Sequence, residues 1–305
     1  MQNDDTKHIY SKSNGLDCIL IKRKKMSYMN RIDECNKYEE ANKIPFVVDG
    51  LRVGQVFKEH EAYCLTSGFF VREGNALTLK ESYKTFEQRT EVFTIFAKNA
   101  LADGLANRYM NENFPLLSSA SSEPLAFLDR GISNLFGTLS FGQHLNAYVM
   151  TDDGMKMWIA RRAYDRGYEA GKLDHMVAGG LPCDLSPLVN LQKECYEEAG
   201  MSEALALESK QVGLVSYKYD YTMGGKEEII YCYDLEVKAD FVPVCTDGEV
   251  HEFYLMPIEE VARLVRDTDE FKLNCNLVII DFLVRHGYIG LDDEDYVEIV
   301  KGLRR

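Results

Sequence analysis

The stretch GGLPCDLSPLVNLQKECYEEAGM, residues 179–201, decides how the rest of the chain is read. It opens on two glycines, crosses a connection with two prolines, and places Glu194, Glu197 and Glu198 just before Gly200. Ser186 suits an N-cap and Pro187 the first helical position, so the spacing predicts a helix that starts there and stops at Gly200. Leu188, Leu191 and Cys195 recur at three and four and predict one core-facing stripe opposite the acids. On such a helix the three carboxylates converge on one face, and like charges at that spacing disfavour the helix by about 0.2–0.5 kcal/mol per pair. Two readings follow: a solvated acidic face softened by Lys193, or an oxygen cage for a hard cation such as Mg²⁺ or Mn²⁺.

Outward from this helix, the second half of the chain alternates strand and helix signals. LNAYVM and KMWIARR flank the turn residues TDDG as a hairpin, and VGLVSYKYDYT and EEIIYCYDLEV flank MGGK as a longer one. Strand alternation puts Val215, Tyr217, Tyr219 and Tyr221 on one face. A strand over EVHEFYLMP precedes the helix IEEVARLVR, and NLVIIDFLVRHG predicts a last helix stopped by Gly287. In the first half, a short helix is expected within MSYMNRIDECNKYEEANK, hairpins over FVVDGLRVGQVF and GFFVREGNALTL, and a helix carrying Phe86, Val92, Phe93, Ile95, Phe96 and Leu101 that ends near Gly104. A second helix is expected over EPLAFLDRGISNLFG, and the domain boundary is placed at Gly137.

The chain has 305 residues and a formal charge of −14, which argues against binding nucleic acid or an anionic membrane, because both demand clustered Lys and Arg. The run KRKKM at Lys22 to Met26 is a local exception, read as a solvated segment. Eight cysteines, none closer than twelve positions to another, form no CxxC pattern and read as free thiols of a cytoplasmic protein. No apolar run reaches membrane-spanning length, since Asp281 interrupts NLVIIDFLV.

The opening segment resembles the Nudix box, G-x5-E-x7-R-E-U-x-E-E-x-G-U with U aliphatic. Set on Glu197 and Glu198, the pattern puts Gly179 at the first glycine, Lys193 at the arginine, Glu194 at the next glutamate, and Gly200 and Met201 at the end. Leu185 stands where the first glutamate belongs, and Lys193 lacks the planar fork of arginine. The resemblance implies an α/β fold, a Nudix α/β/α sandwich with a mixed sheet and a C-terminal helical tail over 138–305, preceded by a small α+β accessory domain over 1–137. It further implies a metal held by Glu194, Glu197, Glu198 and the Gly179 carbonyl, and hydrolysis of a phosphoanhydride bond in a small-molecule diphosphate.

FGQHLNAYV, KLDHMVAGGL, DGEVHEFYLM and NLVIIDFLVRHGYI resemble one Nudix subfamily that carries an extra N-terminal domain and includes fungal fusions to thiamine pyrophosphokinase. There the position of Leu185 is often not glutamate, and members remove phosphate from damaged or analogue forms of thiamine diphosphate. By its place in the motif, Glu249 is the candidate further ligand or general base, with Glu252 in reserve. Arg161 and Arg162 point to opposite faces of one strand, so one of them can reach substrate phosphate. Tyr217, Tyr219 and Tyr221 offer rings for stacking or for packing. His144, His175 and His251 lack metal spacing. The competing readings are a catalytically weak diphosphate-binding module and an isopentenyl-diphosphate-isomerase-like enzyme, which would need a cysteine that HMVAGG lacks. A homodimer is compatible with either.

Overall fold

The computed structural model describes residues 27–305, so the basic run Lys22 to Met26 lies outside the described residues. Helix α1 (Tyr28–Cys35) starts at a capping box in which Ser27 and Asn30 satisfy each other's backbone N–H groups. Strands β1 (Lys43–Val48) and β2 (Leu51–Phe57) form a hairpin whose Asp49 and Gly50 are both left-handed, at φ 55° and 74°, the turn that an Asp-Gly pair favours. After α2 (Glu61–Thr66), the hairpin of β3 (Phe70–Glu73) and β4 (Ala76–Leu79) completes a four-stranded sheet of order β2-β1-β4-β3. Helix α3 (Phe86–Ala102), capped by Thr85, packs Val92, Phe93 and Phe96 onto this sheet, with Phe46, Phe70 and Phe136 completing an aromatic core. Ile95 and Leu101 of the same helix face solvent, because Ala97 and Ala100 occupy the inner stripe instead.

The helix expected over 123–137 is not formed. Its first part is strand β6 (Ala126–Asp129), paired antiparallel with β5 (Asn113–Leu116), and only the turn α4 (Arg130–Ser133) is helical. Asp129 forces the break: its buried carboxylate caps Gly131 N–H at 2.7 Å and accepts from Met110 and Asn111 at 3.1 and 2.8 Å. These bonds hold the chain in a capped turn at the strand end.

The second half is built on β7 (Leu139–Thr151), β8 (Gly154–Arg162), β9 (Leu173–His175), β10 (Val177–Gly180), β11 (Lys210–Tyr221), β12 (Gly224–Glu236) and β13 (Val250–Pro257). The mixed sheet runs β11-β12-β7-β8-β13, with β12 parallel to β7, β10 paired to β7 and β9 to β8. Odd positions Leu145, Ala147 and Val149 of β7 pack against Leu191, Cys195 and Ala199 of α5 (Pro187–Ala199), near the short α6 (Glu203–Ala206). The other face packs Met157, Ile159, Val215 and Ile230 against α7 (Ile258–Asp267) and α8 (Cys275–Arg285). Helices on both faces of a mixed sheet make an α/β sandwich behind an N-terminal α+β unit. The helix over α8 is not the last one, because α9 (Tyr296–Gly302) follows and buries Ile299 in the same core. No helix of the described residues is long and apolar enough to cross a membrane.

The two parts are interlocked. Ile32 and Cys35 of α1 lie in the α7–α8 core, and Arg31 Nε donates to Val265 O at 3.0 Å. Gly224, at φ 154°, passes so close to α4 that a Cβ there would lie 2.0 Å from Asn134 O. Gly224→Ala is therefore expected to cost about 2–3 kcal/mol and to lower the calorimetric midpoint by at least about 4 °C. An unchanged midpoint would contradict this close approach.

Candidate active site

Helix α5 is set by its ends: Ser186 Oγ accepts from Val189 N–H at 3.3 Å, and Gly200 closes it in the left-handed region at φ 62°. Its buried stripe keeps Leu191 and Cys195 as expected but not Leu188. Leu188 is 51 % exposed, whereas Asn190, Leu191, Cys195, Glu198 and Ala199 are buried, so one glutamate faces inward. The reason is what lies beneath. The backbone of β10 presents polar groups, and Ala178 N–H donates to Glu198 Oε2 at 2.7 Å while Asn190 Nδ2 donates to Gly180 O at 2.9 Å. A buried carboxylate is tolerated where a backbone donor meets it.

Glu194 lies directly over Gly179. A Cβ on Gly179 would come within 2.5 Å of Glu194 Cδ, so only glycine allows the carboxylate beside that backbone. Glu197 is half-exposed and pairs with Lys193 at 2.9 Å, and Lys193 also meets Glu194 at 3.2 Å. Lys193 thus bridges two acids as a point charge where the family pattern has a fork. Burial pushes the Glu198 carboxyl well above its usual range, reinforced by the charges of Glu194, Asp174 and Glu249 and opposed by the Ala178 bond. Burial also raises Glu194, against the pull of Lys193. Among the described residues Glu198 has no ion-pair partner, so this donor set fits a hard divalent cation.

The loop that carries Glu249 is fastened to the end of α5: Val244 N–H donates to Ala199 O at 3.0 Å and Thr246 N–H to Glu197 O at 2.8 Å. Glu249 pairs with Arg166, and its charge acts on Glu198. Glu252 is exposed and accepts from Tyr254 OH at 2.6 Å. Arg161 donates to Tyr254 OH and Gly171 O, and Arg162 to Asp174 at 2.8 Å and to the Glu169 and Tyr168 carbonyls. Both arginines therefore brace the loop of residues 163–172, Arg162 through all three guanidinium nitrogens and Arg161 through Nε and Nη1. Tyr217 is core: fully buried, with its hydroxyl on Glu228 Oε2 at 2.6 Å. Tyr219 packs on the same core, and the ring next to it, Tyr221, meets Tyr219 edge-on at 4.8 Å and Tyr168 at 5.4 Å.

Three groups were not read from sequence. Lys226 and Glu228, paired at 2.7 Å, stand on β12 beside the box: Glu228 Oε1 would be 3.7 Å from a Cβ on Gly142, which itself would lie 3.3 Å from Gly179 O. Two charges alternating within a strand were the available signal. Arg130 of α4 lies over Gly180, where a Cβ would come within 3.2 Å of its guanidinium. A separate buried knot gathers His144, Asp174, His175 and Cys275 with their ligating atoms within 4.8 Å. There Asp174 is neutralised by Arg162 and by Lys272 at 3.2 Å, and burial keeps the Cys275 thiol protonated and donating to Asp174 at 2.7 Å. Burial also holds His144 and His175 neutral, the latter pushed down to about 4. This is a buried hydrogen-bonded core in which Asp174 is met by two cations and by the Cys275 thiol.

Leu185 has a physical explanation. It lines an apolar recess with Pro115, Leu117, Pro124 and Phe127 of the N-terminal unit, and Cys183 N–H donates to Asn113 O at 3.0 Å. The box loop is thus braced by the preceding unit, not by a carboxylate of its own. Leu185→Glu, which restores the family residue, is expected to destabilise the protein by about 1–3 kcal/mol and to leave turnover no higher than before. Denaturant melts and phosphate release measured side by side check both parts, and a faster enzyme of equal stability would contradict the bracing.

The NUDIX domain family matches residues 142–275, and a domain of unknown function, DUF4743, matches residues 26–140. Nudix hydrolase 24, chloroplastic, of Arabidopsis thaliana is 37% identical over 286 residues, covering 91% of this chain and 77% of that protein. Nudix hydrolase 20, chloroplastic, of the same plant is 36% identical over 289 residues, with the same shares of 91% and 77% covered. Among solved structures, the NUDIX domain of Shewanella oneidensis NrtR complexed with ADP ribose aligns with a TM-score of 0.40 at 13% identity, covering 50% of this chain and 91% of that one. The density of family features around Gly179, Glu194, Glu197 and Glu198, and identity that runs through both halves, lead to one conclusion: this chain belongs to the Nudix hydrolases and acts on phosphoanhydride bonds.

Proposed function

We propose that the chain is a Mg²⁺- or Mn²⁺-dependent pyrophosphohydrolase that takes damaged or analogue forms of thiamine diphosphate to the monophosphate. The observation that carries the hydrolytic part is the crowding of Glu194 and Glu198 against the Ala178–Gly179 backbone, with Glu197 on the same helix and the charge of Glu249 acting on Glu198. Glu194, Glu197, Glu198 and the Gly179 carbonyl would hold the metal, which when bound neutralises developing charge and makes a water more acidic. The protein's own part is positional. Ala178 N–H fixes one Glu198 oxygen, Lys193 orients Glu194 and Glu197, and Glu249, braced by Arg166, accepts the proton as water oxygen bonds to phosphorus and the bridging oxygen leaves on the monophosphate. The thiamine part is supported by the subfamily text of the sequence and by the Tyr168–Tyr221 ring pair, which offers an edge-on aromatic wall.

Phosphate release from thiamine diphosphate, a ring-modified analogue of it and ADP-ribose tests the substrate. A preference of tenfold or more in kcat/KM for the thiamine compounds is expected; release from ADP-ribose alone would overturn the substrate and leave the hydrolase standing. Glu197→Gln and Glu198→Gln should each lower kcat by at least about a hundredfold with the fold intact by circular dichroism. Tight binding by the parent without release would instead make it a diphosphate-binding module.

The raised carboxyls give a second readout. A folded value above the unfolded value of about 4.3 means that stability is fully present below that pH and lost as pH rises through the folded value. In EDTA the thermal midpoint should therefore fall as the pH is raised from mildly acidic to neutral. Saturating Mg²⁺ should reverse the fall, adding about 2.7 kcal/mol at a hundred times its Kd. Glu198→Gln should raise the metal-free midpoint and shrink the Mg²⁺ response, and a full Mg²⁺ shift in this variant would remove Glu198 from the metal site.

A further inference from the structure

A diphosphate brings several negative charges to a site already lined by Glu194, Glu197, Glu198 and Glu249, so cations of the protein must meet it. Arg162 is occupied by Asp174 and loop carbonyls, Arg161 by Tyr254 OH and Gly171 O through two of its nitrogens, and Lys193 by Glu194 and Glu197. Two others face the cleft. The Arg130 guanidinium lies over Gly180 on the box strand, and Lys226 of β12 pairs at 2.7 Å with Glu228 Oε1, the oxygen that would be 3.7 Å from a Cβ on Gly142.

Arg130 is built into place. Asp129, immediately before it, is pinned by three backbone donors, Arg130 N–H donates to Glu112 O at 2.8 Å, and Gly131 lets the turn pass where a Cβ would strike Arg108 O at 2.3 Å. The guanidinium lies 5.5 Å from the Phe114 ring centroid. Its side chain remains 40 % exposed, and among the described residues Glu112 is the only acceptor of its fork, through Nη1 at 2.7 Å. The other N–H groups are free for a bidentate acceptor. Arg130 and Lys226 are also close enough to repel each other, a cost that an anion between them would turn into attraction.

We propose that Arg130, carried by the N-terminal unit, and Lys226 together grip the phosphates of the substrate, so that the active site is shared between the two parts of the chain. The assignment rests on the reading of Gly179, Glu194 and Glu198 as the hydrolytic centre. It gives the N-terminal unit a direct role: it delivers the phosphate-binding fork as well as bracing the box.

The test uses the full chain and two readouts. Calorimetric titration with Mg²⁺ and methylenediphosphonate, a pyrophosphate mimic whose P–C–P bridge cannot be hydrolysed, reports pyrophosphate binding without turnover, and kcat and KM on thiamine diphosphate report it during turnover. Arg130→Ala should weaken pyrophosphate binding about 10- to 100-fold and raise KM to match, with kcat within about threefold and the unliganded thermal midpoint within about 2 °C. Arg130→Lys should recover part of the loss, since charge without the fork binds phosphate less well. Lys226→Met should show the same split. Unchanged pyrophosphate affinity and KM in Arg130→Ala would overturn the proposal while the hydrolase reading stands. No turnover by the parent on any diphosphate, with pyrophosphate binding still lost in Arg130→Ala, would overturn the hydrolase reading and uphold the grip. If Arg130→Ala fails to fold, Arg130→Lys carries the test alone, and parental affinity there overturns it.

Discussion

The bond from Ala178 N–H to the buried carboxylate of Glu198 is the constraint around which the site is arranged. It ties the inner face of α5 to the short strand β10, and it lets an acid occupy a position that helix periodicity would give to an apolar side chain. Once Glu198 is fixed there, Glu194 one turn earlier must lie over Gly179, and Glu197 must point to the rim where Lys193 reaches it. Asn190, two turns back on the same face, repeats the device by donating to Gly180 O. The helix and strand are held by polar contacts at the mouth of the site and by Leu191, Cys195 and Ala199 further along.

The N-terminal unit is a working wall of this arrangement. Asn113 pairs with the box loop at Cys183, the recess around Leu185 is closed by Pro115, Leu117 and Phe127, and α4 rides on Gly224. A box that lacks its first glutamate loses one anchoring charge, and the apolar contact supplies a substitute with no charge to be screened or titrated. In return the unit is held by the sandwich, because α1 completes the α7–α8 core.

Much of this was legible in residues 179–201. The caps Ser186, Pro187 and Gly200 are local hydrogen-bonding and φ requirements, and they appear where the spacing puts them. The hairpins followed from turn residues, Asp49–Gly50 among them. The misreadings share one cause, which is that periodicity reports a stripe but not its partner. Leu188 belongs to the predicted stripe yet has nothing above it at the open end of α5. Tyr217 shares a face with Tyr221 yet ends in the core, because its end of β11 is covered by α8 and its hydroxyl finds Glu228. The region around Asp129 read as helix because its apolar spacing suits one, but three backbone donors from residues distant or adjacent in the chain hold that carboxylate at a strand end.

By itself the sequence determined the class of fold and the kind of chemistry, since strand alternation, helix caps and the box glutamates are set by neighbours a few residues apart. Only the tertiary structure decided which charges meet. Arg162 is spent on Asp174, Glu249 stands with Glu198 while Glu252 does not, and Arg130 reaches Gly180 from fifty positions away. Such pairings depend on where the sheets and loops place side chains in space. Electrostatic and steric contact act through distance, and distance along the chain does not encode it.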